Sequence, residues 1–234
     1  MKYLAIGAHP DDLEIRCYGT LARLKQQGHS IAVCNIANGS LGHTRIPPEE
    51  LKKIRHDEAK AAAELIGAEH YAIDVNDMEV DSHNQKVILK LVEVIRKVQP
   101  DIIFTLDPND YHPDHVEASL LTFHASFSSS LPQYKTESPC HPEVPIIYYC
   151  DTSRGLHFEP TEFVDISDVM EIKIEAFRCH ESQLEWLSDH DAVDMEKKVR
   201  LHAAFRGYQS GVEYAEAFRL CPKSLRVPAF RVLP

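Results

Sequence analysis

The sequence contains no long hydrophobic run. No stretch approaches the roughly 20 apolar residues that a membrane-spanning helix needs. The apolar segment near the start, YLAIGA at residues 3–8, is shorter than the hydrophobic part of a secretory signal peptide, which has about 7–15 residues. We therefore expect a chain that does not span a membrane and that stays in the cytoplasm.

The sequence also lacks an excess of basic residues. It has 25 Lys and Arg against 36 Asp and Glu, so its formal net charge is −11 and its pI is near 5.7. Proteins that bind nucleic acids or anionic membranes generally present a basic surface. This balance argues against both classes of partner, with a local basic patch as the alternative.

Two motifs are missing as well. The six cysteines stand at positions 17, 34, 140, 150, 179 and 221, and no two of them form a CxxC pair. They indicate reduced thiols and not a disulfide framework or a zinc ribbon. No GxGxxG follows the first apolar run, which counts against a dinucleotide site. Internal repeats and low-complexity segments are absent too.

What the sequence does contain is a regular alternation of strand and helix patterns. Short apolar runs predict strands at residues 2–7, 29–36, 70–75 and 101–106. Helical spacing of apolar residues predicts helices at 13–27, from about 48 to 66, at 83–98 and from about 116 to 127. This order favours an α/β fold of the Rossmann-like type, a mostly parallel sheet with helices on both faces.

The character of the chain changes after residue 128. A loop rich in serine and proline leads to a strand at 144–150, followed by two helices at about 168–188 and 192–206. Residues 211–234 look extended and irregular. We expect a single domain over 1–234, in which 1–128 form the Rossmann-like core. Residues 129–234 should pack over the active-site edge and shape the substrate pocket.

Two histidine-rich motifs follow two of the predicted strands. HPDD occupies residues 9–12 after the first strand, and HPDH occupies residues 112–115 after the fourth. In a Rossmann-like order these strands are neighbours, and the order of the sheet reverses between them. Because ligands bind beyond the carboxyl ends of strands at this switch point, we expect the two motifs to meet there.

The residue types of the two motifs suit a catalytic zinc ion. His9, Asp12 and His115 supply two imidazoles and one carboxylate, a ligand set that leaves one coordination position for water. Zinc lowers the pKa of such a water from 15.7 to about 7. Asp11, next to a ligand, is the candidate general base. Fe²⁺ or Co²⁺ could occupy the same ligands.

The remaining polar residues of the second motif have candidate roles beside the metal. His112 could stabilise an oxyanion and protonate a leaving amine, and Asp114 could orient its ring from the far nitrogen. The alternative is a polar turn at each position. Asp12 could cap the next helix, and Pro113 is a common residue in a first helical turn.

The combination of these motifs resembles the PIG-L/LmbE-type zinc-dependent N-deacetylases. AHPDDLE with CYGT after it, and HPDH about a hundred residues later, carry the resemblance, supported by ANGSLG, RHDEAKAAAELIG, HESQLEWL and YAEAF. The resemblance implies the same zinc ligands and base, and a hydrolase that removes acetyl groups from N-acetylated amino sugars or glycoconjugates. It also implies that Arg55 contacts the substrate, and some members of the family form homo-oligomers.

The sequence departs from the family pattern at three positions. Arg16 and Tyr18 stand where the family often has glycine, and Ser40 stands where it often has an acidic residue. These changes affect the expected shape of the substrate pocket and not the proposed metal ligands. His180 and Gln183, in the HESQLEWL segment, receive no assigned role.

Other interpretations remain open. Asp107 and Asp110 could help to bind a second metal, as in a metal-dependent phosphoester hydrolase. The chain could also be a Rossmann-like binding module without catalysis. For Arg55, the residues alone favour a solvated helix face on which it pairs with Glu58.

Overall fold

The computed structural model describes residues 1–191, 194–226 and 233–234. Within them the backbone forms one seven-stranded sheet in the order β3-β2-β1-β4-β5-β7-β6. The strands are β1 (Lys2–Gly7), β2 (Ser30–Ala37), β3 (Glu69–Val75), β4 (Ile102–Thr105), β5 (Ile146–Cys150), β6 (Glu162–Asp165) and β7 (Ala215–Leu220).

The first five strands are parallel, and β7 runs antiparallel to both of its neighbours. Strand β1 lies between β2 and β4, so that Ile6 is aligned with Cys34 on one side and with Thr105 on the other. The order of the sheet reverses at this point. The predicted neighbourhood of the first and fourth strands is thus confirmed, together with the mostly parallel sheet.

Helices cover both faces of the sheet, as predicted. They are α1 (Asp12–Arg16), α2 (Tyr18–Gln26), α3 (Pro48–Leu65), α4 (Gln85–Val98), α5 (Pro113–Ser129), α6 (Met170–Arg178), α7 (Glu181–Asp191) and α8 (Met195–Ser210). On one face, Leu21 of α2 and Phe177 of α6 belong to a buried apolar cluster. On the other face, Leu91 of α4 and Leu121 of α5 belong to a second one. In the described part of the chain, no helix combines the length and the apolar character needed to cross a bilayer.

Four elements differ from the sequence-based expectation. The helix predicted at 13–27 is split at Cys17, and the one predicted at 168–188 is split into α6 and α7. Strand β6 was not predicted, and β7 lies in the segment expected to be irregular. The predicted start of the last helix, residue 192, falls outside the described residues.

The split at Cys17 has a specific cause. In a continuous helix the Gly19 N–H would bond to the Ile15 carbonyl. Here the Gly19 N–H donates to Glu216 Oε1 at 2.9 Å, and the Ile15 carbonyl accepts from Lys173 Nζ at 2.8 Å. Lys173 and Glu216 are themselves 2.5 Å apart and buried. An ion pair from the last third of the chain therefore replaces the helical hydrogen bond.

Candidate active site

The turn that follows β1 carries the first histidine motif in a strained conformation. Asp11 has φ 107°, a region that non-glycine residues rarely occupy. Backbone hydrogen bonds hold the turn, from Asp12 N to the His9 carbonyl and from Ile15 N to the Asp11 carbonyl. The Asn35 side chain of β2 also donates to the His9 carbonyl at 3.0 Å. Strain that the surroundings enforce in this way is frequent at functional sites.

The three predicted metal ligands converge at the switch point between β1 and β4. His9 Nδ1 lies 3.6 Å from Asp12 Oδ2, and His115 Nε2 lies 3.1 Å from Asp12 Oδ1. The Asp12 carboxylate also accepts from the His9 backbone N–H at 2.7 Å, which fixes its orientation. One nitrogen of each imidazole thus faces the same carboxylate.

The far nitrogens of both imidazoles contact further carboxylates. His9 Nε2 is 2.9 Å from Asp114 Oδ2, and His115 Nδ1 is 3.2 Å from Asp110 Oδ1. Histidines that bind metals usually donate their second N–H to a carboxylate or carbonyl, which sets the tautomer and increases the basicity of the ligand nitrogen. The donor set and its support therefore fit a divalent cation such as zinc.

The electrostatics of this cluster favour positive charge. Burial opposes a charge on His9, but hydrogen bonds to Asp114 and Asp12 raise its pKa to about 10. For His115, burial is likewise outweighed by Asp12 and Asp110, and its pKa rises to about 9. A cluster in which buried carboxylates stabilise cationic imidazoles can exchange those protons for a metal ion.

His112 lies beside His9 and His115, the two predicted histidine ligands. Its ring centroid is 4.9 Å from that of His9 and 4.8 Å from that of His115. Together the three imidazoles bring nitrogen atoms within 4.8 Å of one another. His112 Nδ1 accepts the Asp114 backbone N–H at 3.2 Å and caps α5. In the neutral ring the proton is therefore on Nε2.

The prediction that Asp114 orients His112 through its side chain does not agree with this geometry. The Asp114 carboxylate contacts His9 Nε2 and accepts from the Met78 backbone N–H at 2.8 Å. Because His112 Nδ1 already accepts a backbone N–H, this nitrogen cannot bond to the Asp114 carboxylate. Asp114 instead contacts His9, one of the predicted metal ligands.

Arg55 reaches from α3 into the first histidine motif. Its side chain is only 4% exposed, and Nη2 lies 3.1 Å from Asp11 Oδ2. The same nitrogen donates to the Pro10 carbonyl, and Nη1 donates to the Gly39 carbonyl at 3.4 Å. Burial raises the pKa of Asp11 to about 6, although the Arg55 charge opposes this shift.

The alternative of a solvated Arg55 paired with Glu58 is wrong. Glu58 instead accepts the backbone N–H and the hydroxyl of Ser182, at 2.7 and 2.8 Å. Arg55 packs against the glycines of the ANGSLG segment, and a Cβ at Gly42 would lie 2.5 Å from Arg55 Nη1 and 3.0 Å from Gln183 Oε1. The start of α7 therefore closes the space around Arg55.

His180 is the first residue of the HESQLEWL segment, and its side chain is fully buried. Its Nε2 lies 3.0 Å from Glu14 Oε1 of α1. Burial opposes a charge on this ring, but Glu14 and Asp11 raise its pKa. His180 thus joins the HESQLEWL segment to α1, the helix that begins at the end of the first histidine motif.

Asp110 and Arg16 are site residues whose roles the sequence did not reveal. Arg16 Nη2 lies 3.1 Å from Asp110 Oδ2, and Arg16 also donates to the Ser153 hydroxyl at 2.9 Å and to the Asp151 carbonyl. Arg16 therefore connects α1 with the loop after β4 and with the chain after β5. Only the position of Asp110 beside HPDH hinted at this role.

The carboxylates required by the phosphoester hypothesis are already engaged. Asp107 is fully buried and forms an ion pair with Arg219. Asp110 contacts Arg16 and His115. A second metal ion would have to break both arrangements, so the geometry favours a site for one metal.

Comparisons with known proteins point to one family. The family model described as PIG-L, GlcNAc-PI de-N-acetylase, matches residues 4–126. A diacetylchitobiose deacetylase from Thermococcus kodakarensis is 34% identical over 94% of this chain and 83% of its own length. The structure of the N,N'-diacetylchitobiose deacetylase from Pyrococcus horikoshii, complexed with an inhibitor, superimposes with a TM-score of 0.83, at 31% identity over 94% of this chain and 84% of that one.

A relative with a different name also matches. The 4-oxalmesaconate hydratase of Pseudomonas putida is 25% identical over 84% of this chain and 80% of its own length. The relatives therefore include both deacetylases and a hydratase.

Proposed function

The chain belongs to the PIG-L family of GlcNAc-PI de-N-acetylase-like proteins, and on this premise we propose that it removes the acetyl group from an N-acetylated amino sugar or glycoconjugate, using one zinc ion. The observation that carries this proposal is the convergence of His9, His115 and the Asp12 carboxylate at the switch point of the sheet. The similarity to deacetylases over 94% of the chain supports the same reaction.

The residues around the metal have different roles in amide hydrolysis. Zinc, when bound by His9, Asp12 and His115, would lower the pKa of a water molecule and polarise the amide carbonyl. Asp11 accepts the proton of the attacking water, since it lies next to a ligand and is held by Arg55. His112 donates its Nε2–H as a hydrogen bond to the oxygen that gains negative charge. Burial, His9 and His115 lower the pKa of His112, so the ring stays neutral, and the leaving amine takes the proton that Asp11 accepted from the water.

Removal of the metal should abolish the activity. We expect protein dialysed against a strong chelator to release no amine from N-acetylglucosamine, and one equivalent of Zn²⁺ per chain to restore the activity. Metal content measured by mass spectrometry beside the assay checks the stoichiometry. Two metals per chain at full activity would contradict the one-metal site, and full activity after chelation would contradict metal-dependent hydrolysis.

For Arg55 we propose positioning of Asp11 in place of the substrate contact that the resemblance implies. The Arg55→Lys variant should lower kcat by about tenfold to a hundredfold, the order expected when a catalytic group is misplaced by about 1 Å. KM should change little, because the guanidinium is buried against Asp11 and backbone carbonyls. A raised KM with an unchanged kcat would show that Arg55 contacts the substrate.

The first assay should screen several substrates. Metal-quantified protein is incubated with a panel of N-acetylated sugars, and free amine and acetate are both measured. Equal amounts of the two products establish hydrolysis of the amide. The hydratase relative makes addition of water to an unsaturated carboxylic acid the second candidate. If no sugar releases amine while such an acid is consumed, deacetylation is excluded.

A further inference from the structure

Arg16 is a buried cation beside the metal cluster, and the reaction proposed above does not use its charge. Its side chain is only 4% exposed. A guanidinium that is withdrawn from water is stable only where carbonyls, hydroxyls or carboxylates accept its hydrogen bonds. The acceptors of Arg16 come from two segments, the loop after β4 and the chain after β5. The position of this side chain is therefore determined by both.

One carboxylate joins Arg16 to a predicted metal ligand. Asp110 Oδ2 accepts from Arg16 Nη2 at 3.1 Å, and Asp110 Oδ1 lies 3.2 Å from His115 Nδ1. The Asp110 side chain is 1% exposed, so water does not compete for either oxygen. The two oxygens of this carboxylate thus connect the guanidinium with the imidazole.

The orientation of the Asp110 carboxylate depends on Arg16. The Tyr111 backbone N–H donates to Asp110 Oδ1 at 2.7 Å, the same oxygen that faces His115. Among the described residues, the hydrogen bond to Oδ2 comes from Arg16 alone. Because a carboxylate held at only one oxygen can rotate, Arg16 is what fixes the plane of this group.

Arg16 is itself held on the side away from Asp110. Its Nη1 donates to the Asp151 carbonyl, and its Nη2 donates to the Ser153 hydroxyl at 2.9 Å. The Asp151 carboxylate in turn forms a two-point ion pair with Arg206 of α8, at 2.6 and 3.0 Å. Such bidentate pairs impose one geometry on both partners. The guanidinium of Arg16 is therefore anchored to the C-terminal third of the chain.

From this arrangement we propose that Arg16 is a positioning residue for the metal, and that it acts through Asp110 on His115. With the carboxylate fixed at Nδ1, the His115 ring presents Nε2 to Asp12, where a cation can be shared. The inference rests on the metal-dependent function proposed above. Residues that contact a ligand and not the metal usually change metal affinity by about tenfold to a hundredfold when they are replaced.

The test needs a variant that keeps the positive charge of Arg16. Alone, this charge repels a cation bound between Asp12 and His115, so a neutral substitution would combine a loss of position with a gain in affinity. Arg16→Lys keeps the charge, but an ammonium is a point donor and cannot reproduce the planar fork of N–H groups. We expect Arg16→Lys to raise the Kd for Zn²⁺ about tenfold, measured by competition with a chromophoric chelator.

A double-mutant cycle shows whether Arg16 acts through Asp110. Asp110→Asn should weaken Zn²⁺ binding at least as much as Arg16→Lys, and the double variant should bind no more weakly than Asp110→Asn alone. Independent effects that multiply in the double variant would overturn the proposed route. The visible absorption of the Co²⁺-loaded proteins, which reports the geometry of the ligands, should change in both single variants.

Arg96 provides a matched control on the side of the sheet where the strands begin. It lies near the end of α4 and is buried to a similar extent as Arg16. Its guanidinium donates to the Ser129 and Leu131 carbonyls and to the Thr136 hydroxyl. Arg96→Lys should lower the melting temperature, but it should leave the Kd for Zn²⁺ and the Co²⁺ spectrum unchanged.

A wild-type Kd in Arg16→Lys, or an equal loss in Arg96→Lys, would overturn the proposal. Ser153→Ala removes one anchor of Arg16 without touching an ion pair, and it should raise the Kd severalfold. If Arg16→Lys does not fold, an unchanged Kd in Ser153→Ala overturns the proposal instead. Wild-type protein that binds no Zn²⁺ would end the metal-dependent function as well, whereas tight wild-type binding without an effect of Arg16→Lys contradicts this inference alone.

Discussion

The Asp11→Asn variant is expected to lose about a thousandfold of kcat while it keeps its metal. A neutral amide cannot accept a proton, and general base catalysis contributes on the order of 10²–10⁴ in rate. Asparagine suits this position because it tolerates positive φ better than most residues, and Asp11 has φ 107°. The amide oxygen can still accept a hydrogen bond from Arg55, so the turn should persist.

The neighbouring carboxylate provides the matched control. Asp12 lies between His9 and His115, and Asp12→Asn should lose both metal affinity and activity. Metal content per chain, measured on the same samples as kcat, separates the two effects. If metal-loaded Asp11→Asn turned over like the wild type, Asp11 could not be the base, and the proton would have to go to another residue such as His112.

The fold of residues 1–128 is accessible from the sequence because its signals are local. Apolar runs such as IAVCNIA and DIIFTL specify buried strands, and parallel connections leave few possible topologies. The split at Cys17 could not be predicted in this way, because no local signal marks it. Leu13, Cys17 and Leu21 are all buried at helical spacing, so the periodicity continues through the break. The cause lies about 150 to 200 residues away, in Lys173 and Glu216.

The same distinction applies to the candidate site. The ligand types and the strand ends that carry them predict that His9, Asp12 and His115 meet. Which carboxylate supports which imidazole depends on side-chain geometry within the loops, and Asp114 contacts His9 where His112 was expected. The environment of Arg55 depends on its burial under the ANGSLG segment and α7, which helix periodicity does not report.

The buried pair that splits the first helix should also be a large contributor to stability. Glu216 accepts the N–H groups of Gly19 and Thr20 at the start of α2 and pairs with Lys173, which is 1% exposed. Glu216→Gln removes the negative charge that stabilises the buried ammonium group of Lys173. Leaving one member of a buried pair without its partner costs about 3–5 kcal/mol, and for a chain of this length we expect the melting temperature to fall by about 10 °C.

Two comparisons separate this effect from a general loss of packing. Lys173→Met should cost less than Glu216→Gln, because the carboxylate left behind still has two N–H donors and the positive end of a helix. Glu171→Gln, on the same helix as Lys173, removes an exposed partner of Arg200 at 2.6 Å and should change the melting temperature little, since such pairs contribute about 0–1 kcal/mol. Equal unfolding midpoints for Glu216→Gln and Glu171→Gln in urea would mean that the buried pair is not what joins the last third of the chain to α1 and α2.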